Sequence, residues 1–237
     1  MIKFFRKLRY ELMEQNKKGK PAWPVGRYIK YAIGEIVLVV IGILIALQIN
    51  NWNSSNKSKR EVKISITHIK KEIESNIKEL NKAQKINHMI GEAYSEYRKL
   101  YDGKTTELIT TPENMDILQN KYPGFFRISD SLQINTDLFH YSGTTFINLE
   151  LAELTEIAWE TTRSVGITNE FEYECLYELE SMYNLQRRVQ NEINKAANAL
   201  QKREIEELMN ILGFLEQLDH QLDKDYERML VNIENCD

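Results

Sequence analysis

Residues 31–49 read YAIGEIVLVVIGILIALQI, and this stretch decides the expected fold. As a helix it would be about 28 Å long, close to the roughly 30 Å hydrocarbon core of a bilayer. Residues 36–47 contain ten Ile, Val or Leu side chains, which favour insertion by about 3 to 6 kcal/mol. Glu35, near one end, opposes insertion by at most about 3 kcal/mol. The sequence therefore predicts one N-terminal transmembrane helix over residues 31–50.

A buried core helix and a cleaved signal peptide are the alternatives to a membrane anchor. A core helix seldom has twelve consecutive apolar residues around its whole circumference, as residues 36–47 do. A signal peptide needs small residues before its cleavage site, and the bulky Leu44 stands at one of the two positions concerned. We therefore expect the anchor to remain uncleaved.

The flanks of this stretch carry opposite charge. Residues 1–30 contain nine Lys or Arg and two Glu, a net charge of +7, whereas residues 51–237 contain 22 basic and 32 acidic side chains, a net charge of −10. Positive flanks stay on the cytoplasmic side of a membrane. We expect a bacterial inner-membrane protein with a cytoplasmic N-terminus and a periplasmic body.

Residues 1–30 form a basic segment with an amphipathic beginning. Ile2, Phe5, Leu8 and Leu12 share one helical stripe, which suits a helix lying in the lipid interface rather than on nucleic acid. The bilayer is thus an expected partner, and nucleic acid is not. The membrane-surface residues predicted here are Lys3, Arg6, Lys7, Arg9, Trp23 and Trp52.

One face of the span combines a carboxyl group with small residues. Glu35, Gly42 and Ala46 fall within about 40° of each other on a 3.6-residue helix. Small residues let helices approach closely in a membrane. This face predicts a helix–helix interface, with a Glu35 side chain that merely reaches the lipid headgroups as the alternative.

The body, residues 51–237, has the apolar periodicity of long helices. A stripe from Val62 to Tyr101 alternates three- and four-residue steps, and a second runs from Leu176 to Ile233, where we expect two helices with a break at Gly213 or in the stretch LQKRE. The expected fold is all-α: one transmembrane helix followed by an elongated antiparallel helical bundle. Basic residues concentrate in 51–104 and acidic ones in 105–237, which favours pairing of the first helix with later ones.

An irregular insertion at about residues 102–147 interrupts the helices. Pro112 predicts a short helix to about Asn120, and aromatic packing of residues 122–147 is favoured over a ligand pocket there. A further helix is expected over 148–165, ending before Gly166. Asn169 and Glu172 have the spacing of a capping box that opens the next helix.

The residues with catalytic or metal-binding chemistry are scattered. Cys175 and Cys236 lack metal-ligand spacing, and free packing thiols are favoured over a bridge. Two i,i+4 pairs, His88 with Glu92 and Glu216 with His220, are interpreted as solvated faces rather than metal ligands. The motifs of hydrolases, P-loop proteins and dinucleotide-binding folds do not occur. We expect a non-enzyme with no catalytic, cofactor or metal site.

Two blocks resemble a family of uncharacterised single-span inner-membrane proteins of Bacteroidota-type bacteria, a domain of unknown function. The first is YIKYAIGEIVLVVIGILIALQINNWN at residues 28–53 together with the preceding MIKFFRKLRYELMEQNKKGK. The second, looser one is AWETTRSVGITNEFEYECLYELESMYNLQRRV at residues 158–189. The resemblance implies the location and architecture and supplies no site.

These observations favour a membrane-anchored scaffold or accessory subunit that acts through protein–protein contacts in the periplasm. We expect it to form a homo-oligomer or to join a larger membrane-protein complex. A periplasmic ligand-sensing bundle is one alternative, and a stator-like subunit that uses Glu35 is another.

Overall fold

The computed structural model describes residues 24–100 and 108–236. The chain divides into two compact units, one up to Lys57 and one from Ser58 onward. The first helix, α1, runs from Pro24 to Lys99 and contributes to both units. A Pro at the first position of a helix is favoured because its missing N–H has no intrahelical partner there in any case. Helix α1 continues without a break from the apolar stretch into the helix predicted from the stripe that begins at Val62.

The second unit contains two further long helices that form a hairpin. Helix α4 spans Tyr173–Lys202 and helix α5 spans Ile205–Asn232. Between them Arg203 has a φ of 63°, and its backbone N–H donates to the last carbonyls of α4. The prediction of two helices is confirmed, and the break lies in LQKRE, whereas Gly213 lies inside α5.

The contacts of α1 show whether α4 and α5 run parallel or antiparallel to it. Ion pairs join Lys70 to Glu234, just after α5, and Arg98 to Glu206 at the start of α5, so α1 and α5 run antiparallel. The predicted pairing of a basic first helix with a later acidic helix is present in these contacts. By contrast, Glu72 contacts Tyr183 and Asn76 contacts Gln186, so α1 and α4 run parallel. The expected antiparallel bundle therefore holds for two of its three helix pairs.

A small sheet corrects the all-α prediction. Strands β1 (Leu108–Thr110), β2 (Phe126–Gln133) and β3 (Phe139–Thr145) form an antiparallel sheet in the order β1-β3-β2. The turn between β2 and β3 is fixed by Asn135, whose Oδ1 accepts from the backbone N–H groups of Asp137 and Leu138. The chain is thus mostly helical, with a hairpin inside the predicted irregular insertion.

Helix α2 (Pro112–Lys121) packs with this sheet around a separate small core. Its N-cap is Thr111, whose Oγ1 accepts from Asn114 N at 3.2 Å, which confirms the helix predicted from Pro112. Gly143 in β3 has no room for a side chain, because a Cβ there would collide with the Arg127 carbonyl and the Phe126 ring. The buried residues of this core are Ala93, Leu108, Met115, Leu118, Tyr122, Phe125, Phe126 and Tyr141.

Residues 146–156 have no regular secondary structure, which corrects the expected start of the next helix. Helix α3 covers only Ile157–Ser164. Asn76 of α1 bonds both the N–H and the C=O of Thr155, and Asn87 does the same for Glu150. Eleven residues of helix and five of extended chain both span about 16 Å, so the spacing matches. These two amides replace the partners that a helix would have given this backbone.

The start of α4 also differs from its prediction. Helix α3 ends before Gly166, which has a φ of 77° as expected of a residue after a helix. Asn169, however, lies in a short 3₁₀ turn (Ile167–Glu170), and the N-cap of α4 is Glu172, whose side chain makes no capping bond. The predicted capping box is therefore wrong, because the intervening turn separates its two members from one helix end.

Cys175 and Cys236 form a disulfide, which corrects the prediction of free thiols. Their Cα atoms are 5.4 Å apart, and both residues are buried in the main core. The antiparallel hairpin brings the first turn of α4 next to the residues that follow α5. The bridge therefore closes the open end of the α4–α5 hairpin.

Candidate functional site

A groove lies between α1 and α5 in the second unit. It has a volume of about 1080 Å³. Its floor contains the buried Leu212, Leu215 and Tyr122, and its rim is polar and charged. A volume of this order is typical of small-molecule sites. The polar and charged lining residues are Asn81, Gln84, Lys85, Asn87, His88, Glu92, Ser95, Glu96, Arg98, Lys99, Glu216, Asp219 and His220.

Two glycines face this groove from opposite helices. In the antiparallel register set by Arg98 and Glu206, Gly91 of α1 lies opposite Gly213 of α5. A Cβ at either position would meet no atom within 4 Å, so close helix packing does not require them. Glycine inside a helix costs about 1 kcal/mol relative to alanine. The pair therefore widens the groove at the expense of helix stability.

A buried carboxylate without a partner lies at one end of the groove. Asp219 is 5% exposed, and its Oδ1 accepts no hydrogen bond from any described residue. The Nε2 of Gln84, nearly opposite on α1, is also buried without an acceptor in the same part of the chain. Burial, and then the charge of Glu216, raises the pKa of Asp219 to about 7. Unsatisfied buried polar groups in a groove are a common mark of a binding site.

The rim brings together the two His–Glu pairs that the sequence separates. His88 Nδ1 lies 3.2 Å from Glu216 Oε1 on α5, and its Nε2 lies 3.7 Å from Glu92 Oε1 on α1. Each ring nitrogen thus faces a different carboxylate, which is unlike a set of ligands converging on one ion. Within the described residues no group of three or more His, Cys, Asp or Glu side chains is arranged to hold a metal. The two pairs are exposed to solvent, as interpreted from the sequence. That interpretation did not include the contact between His88 of α1 and Glu216 of α5.

The predicted membrane face lies on the exposed surface of α1. Glu35, Gly42 and Ala46 are all exposed, as is Trp52 at 68%. The helix–helix interface predicted for this face stays a prediction. The other predicted membrane-surface residues, Lys3, Arg6, Lys7, Arg9 and Trp23, lie outside the described residues.

The apolar stretch of α1 has the length and composition of a membrane span. The candidate span begins at Tyr31 and contains an 18-residue window with a mean hydropathy of 2.6. None of that window is buried within the chain. This exposure argues against the alternative of a soluble core helix, whose apolar residues would be covered. A signal sequence near the N-terminus would meet the same criteria of length and composition.

Sequence reasoning missed Asp219 and Gln84. It favoured aromatic packing of residues 122–147 and gave a ligand pocket there only as the alternative. Of that range only Tyr122 lines the groove. Gln84 stands in the apolar stripe of α1, and Asp219 follows Leu215 by four residues in the stripe of α5. A polar residue at a stripe position is the signal that would have identified them.

The comparisons with known proteins concern the first part of the chain. Residues 35–116 are similar to a family of unknown function, DUF6090. This range includes most of α1, β1 and the beginning of α2. It therefore includes the α1 side of the groove, and α5 lies beyond it. Searches of curated proteins and of solved structures find no match. The similarity supports an uncharacterised domain over residues 35–116.

Proposed function

We propose that this chain is a single-span protein of a bacterial inner membrane whose periplasmic body acts as a scaffold or accessory subunit. The observation that carries the proposal is the unburied apolar window of α1. Left in water, such a helix would expose many large apolar side chains, Ile36, Val39 and Leu44 among them. A bilayer covers these side chains, and the cationic residues 1–30 favour a cytoplasmic N-terminus.

The disulfide supports the placement of the body outside the cytoplasm. Bridges such as Cys175–Cys236 persist in oxidising compartments and are rare in the reducing cytosol. Because both sulfurs belong to the second unit, this observation is independent of the charge distribution around the span.

An exposed strand supports function through protein contacts. Strand β2 is an edge of the sheet, and all of its residues after Phe126 are exposed, including Ile128 and Leu132. Edge strands offer unpaired backbone groups to a partner chain. We propose a homo-oligomer or a larger membrane-protein complex as the assembly in which this surface is covered.

Membrane extraction and a topology reporter test the proposal. The full-length protein should stay in the membrane fraction after alkaline carbonate washing, and a reporter at the C-terminus should be active only in the periplasm. Crosslinking in native membranes should trap a defined complex. Release by carbonate, or a reporter active only in the cytosol, contradicts the anchor. A solitary monomer in crosslinked membranes contradicts the scaffold role.

Ligand sensing is a second proposed function, favoured by the α1–α5 groove. A groove widened by Gly91 and Gly213, with a buried unpartnered Asp219, suits a small ligand better than a solvated helix face. A metabolite that raises the unfolding temperature of the wild type but not of Gly213→Leu supports this function. Equal shifts in both proteins contradict binding in the groove.

A further inference from the structure

We propose that the α1–α5 groove binds a small organic cation, an amine carried on an apolar body, whose ammonium group pairs with Asp219. The inference rests on the ligand-binding function proposed above and adds the chemical class of the ligand. It depends on three features of the groove: its buried carboxylate, the fact that none of its lining cations pairs with Asp219, and its apolar floor.

The carboxylate of Asp219 is the group that needs a partner. A buried ionised carboxylate is costly unless a cation or several N–H donors compensate it. Glu72 shows the compensated case in this chain, with two backbone N–H groups and the Tyr183 hydroxyl donating to it. Asp219 has no such donors among the described residues. An ammonium group supplies both charge and hydrogen bonds.

The cations that line the groove do not pair with Asp219. Lys99 pairs with Glu96 at 3.0 Å, and Arg98 lies 3.7 Å from Glu206. Lys85 is exposed and forms no ion pair with Asp219 in the described structure. The groove therefore keeps an uncompensated negative group at its buried end, which favours a cationic ligand over an anionic one.

The remaining lining suits the apolar part of such a ligand. Leu212 and Leu215 are buried in the floor, and Tyr94 and Tyr122 add aromatic surface further along α1 and at the end of α2. The two glycines leave the space between these groups open. An apolar body lying along this floor places its amine at Asp219 and its far end near the tyrosines.

Three probes with one apolar body and different head groups test the ligand class. The full-length protein in lipid nanodiscs is titrated calorimetrically with 4-phenylbutylamine, 4-phenylbutanol and 4-phenylbutyrate, with empty nanodiscs as the blank. The amine should bind at least about tenfold more tightly than the other two, the gain expected of a charge-assisted hydrogen bond. If all three probes bind with equal affinity, the proposed preference for a cation is wrong, but the groove still binds a ligand. Absence of binding by all three up to 10 mM contradicts both the preference for a cation and the ligand groove.

Matched variants locate the binding. Asp219→Asn should weaken amine binding about ten- to hundredfold. Asp223→Asn, one turn further along α5, removes another buried carboxylate oxygen without a partner among the described residues and should leave binding unchanged, since Asp223 does not line the groove. Gly213→Leu keeps Asp219 and fills the groove, so it should abolish binding even if Asp219→Asn folds poorly. Unchanged affinity in both Asp219→Asn and Gly213→Leu overturns the assignment.

Discussion

The hydroxyl of Tyr183 donates a 2.8 Å hydrogen bond to Oε1 of Glu72, in the interior between α1 and α4. The same carboxylate accepts from the backbone N–H groups of Ala158 and Trp159 at the start of α3. Glu72 therefore performs the capping that Glu156, the N-cap residue of α3, does not provide. One side chain thus joins three helices. Burial, together with the charge of Glu72, raises the pKa of Tyr183, so its hydroxyl remains a donor at any physiological pH.

Replacing Tyr183 by Phe should destabilise the body by about 1 to 2 kcal/mol. The change removes one donor to a buried carboxylate and keeps the stacking on Trp159, whose ring lies 5.5 Å from that of Tyr183. Urea unfolding followed by circular dichroism measures the difference. Tyr177→Phe on the exposed face of the same helix is the control and should change stability little. Equal midpoints for Tyr183→Phe and the wild type would show that this hydrogen bond contributes nothing.

The amides of Asn76 and Asn87 hold the segment before α3. Asn87→Ala leaves the N–H and C=O of Glu150 without their protein partner, and we expect a loss of about 1 to 3 kcal/mol. Hydrogen exchange of the Glu150 amide should accelerate at the same time. Asn210→Ala, an exposed asparagine on α5, should change neither quantity. Unaltered exchange at residue 150 would contradict the role of Asn87.

These two asparagines also explain where sequence reasoning failed. Helix periodicity predicted α1 and the α4–α5 pair well, because long apolar stripes are a local property of the chain. Residues 146–156 depend instead on side chains about 60 to 80 positions away in α1. The β2–β3 hairpin likewise depends on pairing with β1 and on Gly143, whose backbone must approach Arg127. Non-local partners of this kind leave no periodic signal in their own segment.

The site was less predictable than the fold for the same reason. The sequence identified His88 and Glu216 as members of separate pairs, and only the antiparallel register of α1 and α5 brings them within 3.2 Å. Gly213 was a candidate hinge, because a helix-interior glycine is costly and usually marks a break. Its role becomes visible only with Gly91 opposite to it.

The disulfide should contribute about 4 kcal/mol to the stability of the body. In the chain-entropy view, a bridge across the 61-residue separation of Cys175 and Cys236 restricts the unfolded state by this amount. Reduction with dithiothreitol should lower the unfolding temperature of the wild type and leave Cys175→Ala/Cys236→Ala unchanged. Thiol alkylation of freshly lysed cells measures the oxidised fraction in vivo. A fully reduced protein in those cells would contradict the periplasmic placement.

The face of Glu35, Gly42 and Ala46 predicts helix association within the membrane. Gly42→Leu should prevent close approach and reduce crosslinking of the span to its neighbour several-fold. Gly34→Leu, about 100° away from Glu35 around the same helix, is the matched control and should retain crosslinking. If both variants crosslink as the wild type does, the small residues do not form an interface. If Glu35→Gln crosslinks as the wild type does, the association depends on the packing of this face and not on the charge of Glu35.

The ionisation of Asp219 should make the body less stable as the pH rises. Its pKa is about 7 in the folded chain and near 3.8 when unfolded, so the folded state binds more protons between these values. The stabilising contribution is therefore complete below about pH 4 and is lost as the pH rises through 7, a change on the order of 4 kcal/mol. The comparison that isolates Asp219 is Asp219→Asn, whose urea midpoint should fall less between pH 5 and pH 8. Identical pH profiles for Asp219→Asn and the wild type would show that this carboxylate does not titrate in the groove.

A bound cation should oppose this loss of stability at high pH, because it favours the ionised carboxylate of Asp219. Adding 4-phenylbutylamine should therefore stabilise the wild type more at pH 8 than at pH 6.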